Sequence, residues 1–158
     1  MGNGKVYLSR ESFEKMKKEL EALRGEKIPE ISAAIGHAIE LGDISESGEY
    51  ETAQRAMQDA QKRVLQLEEK LLTAVLYDEE DIASDRVYIG AYVQVRDLKD
   101  NSEPTYRIVG VDEVDIENNR ISHSSPLGQA FMGKAVGNVV EARIPRGVLR
   151  FEILKIHR

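Results

Sequence analysis

Glu40-Leu41-Gly42-Asp43-Ile44-Ser45-Glu46-Ser47-Gly48-Glu49-Tyr50-Glu51 is the stretch that decides the fold. Five of its twelve residues are carboxylates and none is basic. The bias extends outward. No Lys or Arg lies between Lys27 and Arg55, a span that holds Glu30, Glu40, Asp43, Glu46, Glu49 and Glu51. A long run of helix-spaced apolar residues lies on each side, so the acidic stretch predicts a turn between two helices. Such a turn sits at the far end of a rod.

The flanking patterns define that rod. Ser9 is a good N-cap, with Glu11 in the first turn behind it. Phe13, Met16, Leu20 and Leu23 then recur at spacings of 3, 4 and 3, a heptad seam. The phase slips by one residue before Ile28, Ile31, Ile35, Ala38 and Ile39 carry the stripe onward. Gly25 and Pro29 bracket the slip, which predicts a bend or local loosening. A helix over 9–40 would run roughly 48 Å. The second helix reads Tyr50, Ala53, Met57, Ala60, Val64, Leu67, Leu71 and Ala74, alternating by 3 and 4 throughout. Neither stripe can be buried alone, so the two helices pack antiparallel. The bland alternative, two sides of a globular bundle, lacks a third long helix to complete it.

After Tyr77 the period changes. Asp78-Glu79-Glu80-Asp81 is a polar linker, followed by β-type runs at Val87–Ile89, Tyr92–Asp97, Thr105–Val109, Val139–Ile144 and Val148–Ile156. A short helix is expected at Leu127–Met132, behind Ser125-Pro126. The expected fold class is therefore α+β in two domains: a coiled-coil hairpin with an acidic tip over residues 1–80, and a small α+β domain over 81–158.

Composition agrees with an elongated, cytoplasmic chain. Apolar residues make up 41% and aromatics 6%, with no Trp, so any core is modest and largely aliphatic. Charged residues reach 32%, which suits much surface for little volume. Without cysteine, disulfides, thiolate metal sites and thiol nucleophiles are excluded. No leader pattern opens the chain and no apolar run is long enough to span a membrane. Residues 1–80 hold 11 basic and 17 acidic side chains and residues 81–158 hold 11 of each, so the hairpin carries the whole net charge of −6. Charge alone will not draw free nucleic acid to this protein. It could meet nucleic acid inside another protein's basic cavity.

The acids of the turn admit two readings. Asp43-Ile44-Ser45-Glu46 has capping-box spacing, so two carboxylates are explained by starting the second helix. Capping does not explain why Glu40, Glu49 and Glu51 join them unneutralised. The other reading is metal chemistry. Mg²⁺ takes oxygen ligands, keeps several waters and is usually held by one or two carboxylates plus phosphates. Asp43 and Glu46, one turn apart, supply such a partial set, to be completed by a partner that already owns a metal and a phosphate backbone.

A family resemblance rests on these residues. Gly42-Asp43-Ile44-Ser45-Glu46-Ser47-Gly48-Glu49-Tyr50 resembles the Gly-Asp-Leu-x-Glu-Asn-Ala-Glu-Tyr tip motif of the Gre transcript-cleavage factors, the GreA type in particular. Arg24-Gly25-Glu26-Lys27-Ile28-Pro29-Glu30-Ile31 is similar to the family's first-helix segment. Thr105-Tyr106-Arg107-Ile108-Val109-Gly110, Ile121-Ser122-His123-Ser124-Ser125-Pro126 and Gly133-Lys134-Ala135-Val136-Gly137 resemble its C-terminal signatures. The likeness covers essentially the whole chain.

The resemblance implies a hairpin followed by an FKBP-like domain that docks at the mouth of the secondary channel of bacterial RNA polymerase. The hairpin would enter the channel, near template DNA, and reach the 3′ end of the nascent RNA. There Asp43 and Glu46 would ligate or position a Mg²⁺ shared with the polymerase, which would cut backtracked RNA. Glu49 and Ser47 would support the tip, Ser125 and Pro126 would belong to the docking surface, and Arg55 would reach RNA. The protein would be a cytoplasmic monomer without membrane contact, and no enzyme by itself.

The chain departs from the pattern in places. Ser47-Gly48 replaces Asn-Ala, Ser45 stands where Lys is frequent, and Ile39 and Gln54 stand where Arg residues of a basic patch are common. Gly48 loosens the first turn of the second helix. A Gre-homologous inhibitor that occupies the channel without stimulating cleavage is therefore one alternative, and a coiled-coil scaffold or chaperone is another. His37, His123 and His157 have no partners at ligand spacing. Prolyl isomerase chemistry needs an aromatic-lined pocket, for which Phe131 and Phe151 offer little.

Overall fold

In a computed structural model, which describes residues 4–42, 48–78 and 85–158, the first helical stripe forms one unbroken helical run. It comprises α1 (Arg10–Ala22), a single wide π-helical segment (Leu23–Lys27) and α2 (Ile28–Glu40). The wide turn is the physical answer to the slipped phase. Between Leu23 and Ile28 the stripe steps by five residues, and the Ile28 N–H donates to Leu23 O, five positions back rather than four. One extra residue is thereby absorbed without turning the stripe away from its partner. Pro29 follows the wide turn inside the continuous run, where it has no N–H to bond back to the preceding turn.

The partner helix is α3 (Gly48–Leu72). Leu20, Ile31 and Ala38 from the first run and Ala53, Ala60 and Leu67 from α3 are buried. The other seam residues of α3, Tyr50, Met57, Val64 and Leu71, are partly buried, as expected for two helices with no third layer over them. Arg63 bridges to Glu19 across the helices, Nε to Oε1 at 2.8 Å and Nη2 to Oε2 at 2.9 Å, and Arg24 pairs with Glu68. These pairs are solvated and contribute at most ~1 kcal/mol each. Two seam expectations fail. Ile39 is 50% exposed, because Ala38 already occupies the inward position. Ala74 lies beyond the helix, in a strand.

The π-helical segment leads to a prediction. Removing Gly25 leaves seam spacings of 3, 4, 3, 4, 3, 4, 3 from Phe13 to Ala38, a regular heptad. The deletion should convert the wide turn to ordinary α-helix and remove a mid-helix glycine that costs ~1 kcal/mol. The helical melting transition, followed by far-ultraviolet circular dichroism, should stay level or rise. Deleting Ala33 instead rotates the following stripe by about 100° and should lower it sharply. Equal losses from both deletions would contradict this account.

Contact within the chain divides it into two units: Phe13–Ala74 with the first four residues, and Lys5–Ser12 with Val75–Arg158. A division at 80/81 assigns Lys5–Ser12 and Val75–Asp78 to the hairpin, whereas here they lie in the second unit. The reason is local pairing. β1 (Val6–Leu8) and β2 (Ala74–Leu76) form a two-stranded sheet, and the Tyr77 N–H donates to Leu8 O at 3.2 Å. Glu113 then gathers both segments, as described below.

The main sheet of the second unit has five strands: β3 (Tyr92–Asp97), β4 (Thr105–Val109), β5 (Arg120–Ser122), β6 (Val139–Ile144) and β7 (Gly147–His157), in the order β5-β4-β3-β7-β6. Neighbours are antiparallel except β4 and β5, and the β3–β7 register shifts opposite Gln94 and Val95, where Leu154 of β7 is the extra residue. Alternation sends Val93, Val95, Ile108, Ile121, Val140, Phe151 and Ile153 to one face. α4 (Pro126–Phe131) covers that face through Phe131, whose ring centroid is 5.8 Å from Phe151. The architecture is mixed α+β, as the sequence patterns require.

Val87–Ile89 is not a strand. Val87 trades two hydrogen bonds with the 133–134 turn, and Gly90, at φ +93°, bends the chain immediately after. A Cβ at Gly90 would stand 2.8 Å from the Tyr77 ring, so buried Tyr77 fixes that bend. The three-residue strands β1, β2 and β5 carry too little periodicity to be read from sequence.

Candidate functional site

α2 closes at Glu40 and α3 is in place by Gly48, with Gly42 at φ +74° leading out of the first helix. Asp43, Ser45, Glu46 and Ser47 lie between these points, outside the described residues, as does the capping-box expectation. Their described neighbours are open and include exposed Leu41 beside the acids. Glu40, Glu49 and Glu51 are exposed, and Glu49 and Glu51 lie in the first turn of α3, where the helix dipole favours carboxylates. Glu49 also lines a groove of about 750 Å³ between α2 and α3, with Lys27, Glu30, His37 and a floor of small residues that includes Ala34 and Ala53. Arg55 is exposed one turn further along. Gln54 is held by its neighbour, its Nε2 donating to the Tyr50 hydroxyl at 2.9 Å. Among the described residues no group of His, Asp and Glu is arranged to hold a metal ion.

Ser125 and Pro126 form a well-built turn. Ser125 is the N-cap of α4, its Oγ accepting from Gly128 N–H at 3.0 Å and donating to Ser122 O at 2.7 Å. Pro126 takes the first helical position, where its fixed φ suits the helix, and is exposed. Gly128 is required by space: a Cβ there would stand 1.9 Å from Ser122 O. Gly128→Ala should therefore displace this turn and cost about 1–3 kcal/mol, read as a lower melting temperature. An unchanged melt would show that the turn yields. Beside it, His123 packs edge-on against Tyr7 at 5.3 Å, and burial holds its pKa below the ordinary imidazole value. His157 stacks on Tyr92, and His37 is exposed.

One buried carboxylate escaped the sequence reading. Glu113 Oε1 accepts from the Ser9 and Ser12 hydroxyls, the latter at 2.6 Å, while Oε2 accepts from the Ser9 N–H at 3.2 Å and the Tyr77 hydroxyl at 2.6 Å. Burial disfavours its charge, but the bonds from Ser12, Ser9 and Tyr77 outweigh burial and hold the carboxyl below its ordinary pKa. Tyr77 is correspondingly raised, first by burial and then by the bond to Glu113. Ser9 was legible as a cap, and its Oγ does accept from Ser12 N–H at 3.2 Å. Nothing in the local pattern of Val111-Asp112-Glu113-Val114 signals a buried acid. Its partners lie 36 to 104 positions away.

Fold and sequence together define a helical-hairpin protein carrying a small mixed-sheet domain. The model for the family described as transcription elongation factor, GreA/GreB, C-terminal matches residues 80–158, and the model for its N-terminal domain matches residues 6–76. The transcription elongation factor GreA of Alkaliphilus oremlandii is 44% identical over 158 residues, covering 100% of this chain and 99% of that protein. GreA of Clostridium beijerinckii is 43% identical over 159 residues, with the same coverage. Among solved structures, GreA factor homolog 1 (Gfh1) of Thermus thermophilus aligns over 98% of this chain and 99% of its own, at 25% identity and a TM-score of 0.45. The chain belongs to the GreA/GreB family of transcription elongation factors. No helix among the described residues is long and apolar enough to cross a membrane.

Proposed function

We propose that this protein rescues arrested transcription by carrying the acidic turn between α2 and α3 into the secondary channel of RNA polymerase, where it stimulates cleavage of backtracked RNA. One observation carries the reading: Asp43 and Glu46 belong to the short connection between two packed helices, within a span from 28 to 54 that has no Lys or Arg. Carboxylates in a stretch of chain without basic residues are suited to a cation supplied from outside. Membership of the elongation-factor family supports the same reading.

The donor chemistry fits Mg²⁺. The candidate ligands are carboxylate oxygens, and the chain has no cysteine that would select a softer ion. Two carboxylates leave most coordination positions to water and phosphate oxygens, so the hairpin alone would hold the ion weakly. When bound, the ion supplies Lewis-acid activation of water toward a phosphodiester. Asp43 and Glu46 bind and orient it; Glu49 and Ser47 support the turn; Arg55 faces RNA; and Ser125-Pro126 at the head of α4 docks on the polymerase. The hydrolysis belongs to the polymerase, and this chain, a cytoplasmic monomer, completes it.

A second reading is favoured by Ile39 and Gln54. Where a cation would grip RNA, the chain has a half-exposed isoleucine and a glutamine tied to Tyr50. A factor of that kind would occupy the channel and slow elongation without promoting cleavage. An RNA-cleavage assay on stalled, backtracked complexes separates the two. Faster cleavage with this protein supports the first, and slowed elongation without cleavage supports the second.

A further inference from the structure

The face of the five-stranded sheet opposite its apolar core carries a built cationic pocket. Arg107 on β4 and Arg120 on β5 are register partners on parallel strands, so both side chains leave the sheet on the same side. With Tyr92, Thr105, Asn118 and Glu11 they line a pocket of about 480 Å³ within the second unit, a volume suited to a nucleotide-sized ligand. Both Nε atoms are buried without a hydrogen-bond partner, and neither guanidinium forms an ion pair among the described residues.

Like charges directly opposed across a ladder destabilise a sheet, and unpaired buried donors add to that cost. None of the surrounding acids supplies a hydrogen bond or ion pair to either guanidinium among the described residues. Glu113 is occupied by two serines and a tyrosine. Asp115 takes the Asn118 amide at 2.6 Å. Glu11, the one carboxylate among the lining residues, has a contact of its own.

Arg107 is also held in place. Its guanidinium lies over the Tyr92 ring, 5.0 Å from the centroid, and His157 stacks on that ring at 5.2 Å and 10°. A guanidinium held over a ring can present its terminal Nη groups for planar contact, and loses little further freedom when it binds. Paired arginines in such an arrangement match the oxygens of phosphate.

We infer that the Arg107–Arg120 pocket binds a phosphate-bearing ligand of nucleotide size, whether a free nucleoside phosphate or the backbone phosphate of a nucleic acid strand. This site is separate from the acidic turn and does not depend on cleavage activity.

The test uses the full chain. Inorganic pyrophosphate and a short single-stranded RNA are each titrated by calorimetry into wild type, Arg107→Gln/Arg120→Gln and Arg107→Lys/Arg120→Lys. Wild type should bind saturably at one site. The glutamine pair should bind about tenfold more weakly or worse, and the lysine pair should fall between, having kept charge but lost the fork. Pyrophosphate as the tighter ligand indicates a free nucleotide. RNA as the tighter ligand, with a strong salt dependence, indicates a strand. A second measurement needs no variant: pyrophosphate should protect Arg107 and Arg120 from phenylglyoxal, but not exposed Arg146. No saturable binding of either probe, unchanged binding by a folded glutamine pair, or unprotected labelling would overturn the site.

Discussion

Asp43→Asn combined with Glu46→Gln should cut stimulation of RNA cleavage on the order of a hundredfold. A lost metal contact in the transition state costs several kcal/mol, and each ~1.4 kcal/mol is a factor of ten in rate. Both substitutions keep side-chain size and remove only charge, so polymerase binding, measured by competition with the wild type, should hold. Added Mg²⁺ should recover part of the loss, because weaker ligands shift occupancy rather than abolish it. The capping reading predicts a different pattern: a helix-stability loss of ~1 kcal/mol, no metal rescue and little change in cleavage. The inhibitor reading predicts no stimulation by the wild type at all. Cleavage by the double variant at the wild-type rate would remove the metal role altogether.

The hairpin was legible in sequence because its signal is local and repeated. Thirteen residues, from Phe13 to Ala38 and from Ala53 to Leu67, step by 3 and 4 apart from one five-residue step, and the structure buries or half-buries each one. Even the exception was visible as a slipped phase. What the stripe left open was whether the helix would bend there or widen, since either absorbs one residue. The sheet strands with clear alternation, such as Tyr92–Asp97 and Val139–Ile144, were equally readable. β5 was not, because three residues, Arg120–Ser122, carry no period and owe their place to β4. Val87–Ile89 misled for the opposite reason: the residues have β-type chemistry, but Gly90 and the Tyr77 ring turn the chain before it can pair.

The sites divide in the same way. An acidic turn announces itself by composition, since its meaning lies in neighbours along the chain. The Glu113 cluster and the Arg107–Arg120 pair depend on strand register and on contacts across long separations, which no window of sequence contains. Ser9 shows the boundary between the two. Its capping role was predictable from the next few residues, but its second bond, to Glu113, was not.

Glu113→Ala should strongly destabilise the second unit. It would leave the Ser9 N–H and the Tyr77 hydroxyl, both in buried residues, without an acceptor, and free two serine hydroxyls. At about 1–3 kcal/mol per stranded buried group, the loss should reach roughly 3–5 kcal/mol. For a unit of this size that lowers the melting temperature by well over ~10 °C. Five of the six tyrosines, Tyr7, Tyr77, Tyr88, Tyr92 and Tyr106, belong to the second unit, so near-ultraviolet circular dichroism reports its melting. Glu113→Gln keeps one carbonyl oxygen for the Ser9 N–H and Tyr77, while its amide faces serine hydroxyls able to reorient. It should lose only ~1–2 kcal/mol. The pH dependence follows from the lowered carboxyl pKa. The unfolded chain takes up the proton first, near the ordinary value of 4.5, so this stability is fully present above that pH. It is lost as pH falls from there through the folded value. Wild type should therefore converge on Glu113→Gln in acid and separate from it toward neutrality. Asp100, also lowered, through its bonds from Ser102, is common to both proteins and cancels in the difference. A Glu113→Ala protein that melts with the wild type, or a gap to Glu113→Gln that widens in acid, would show that the carboxylate does not hold these segments together.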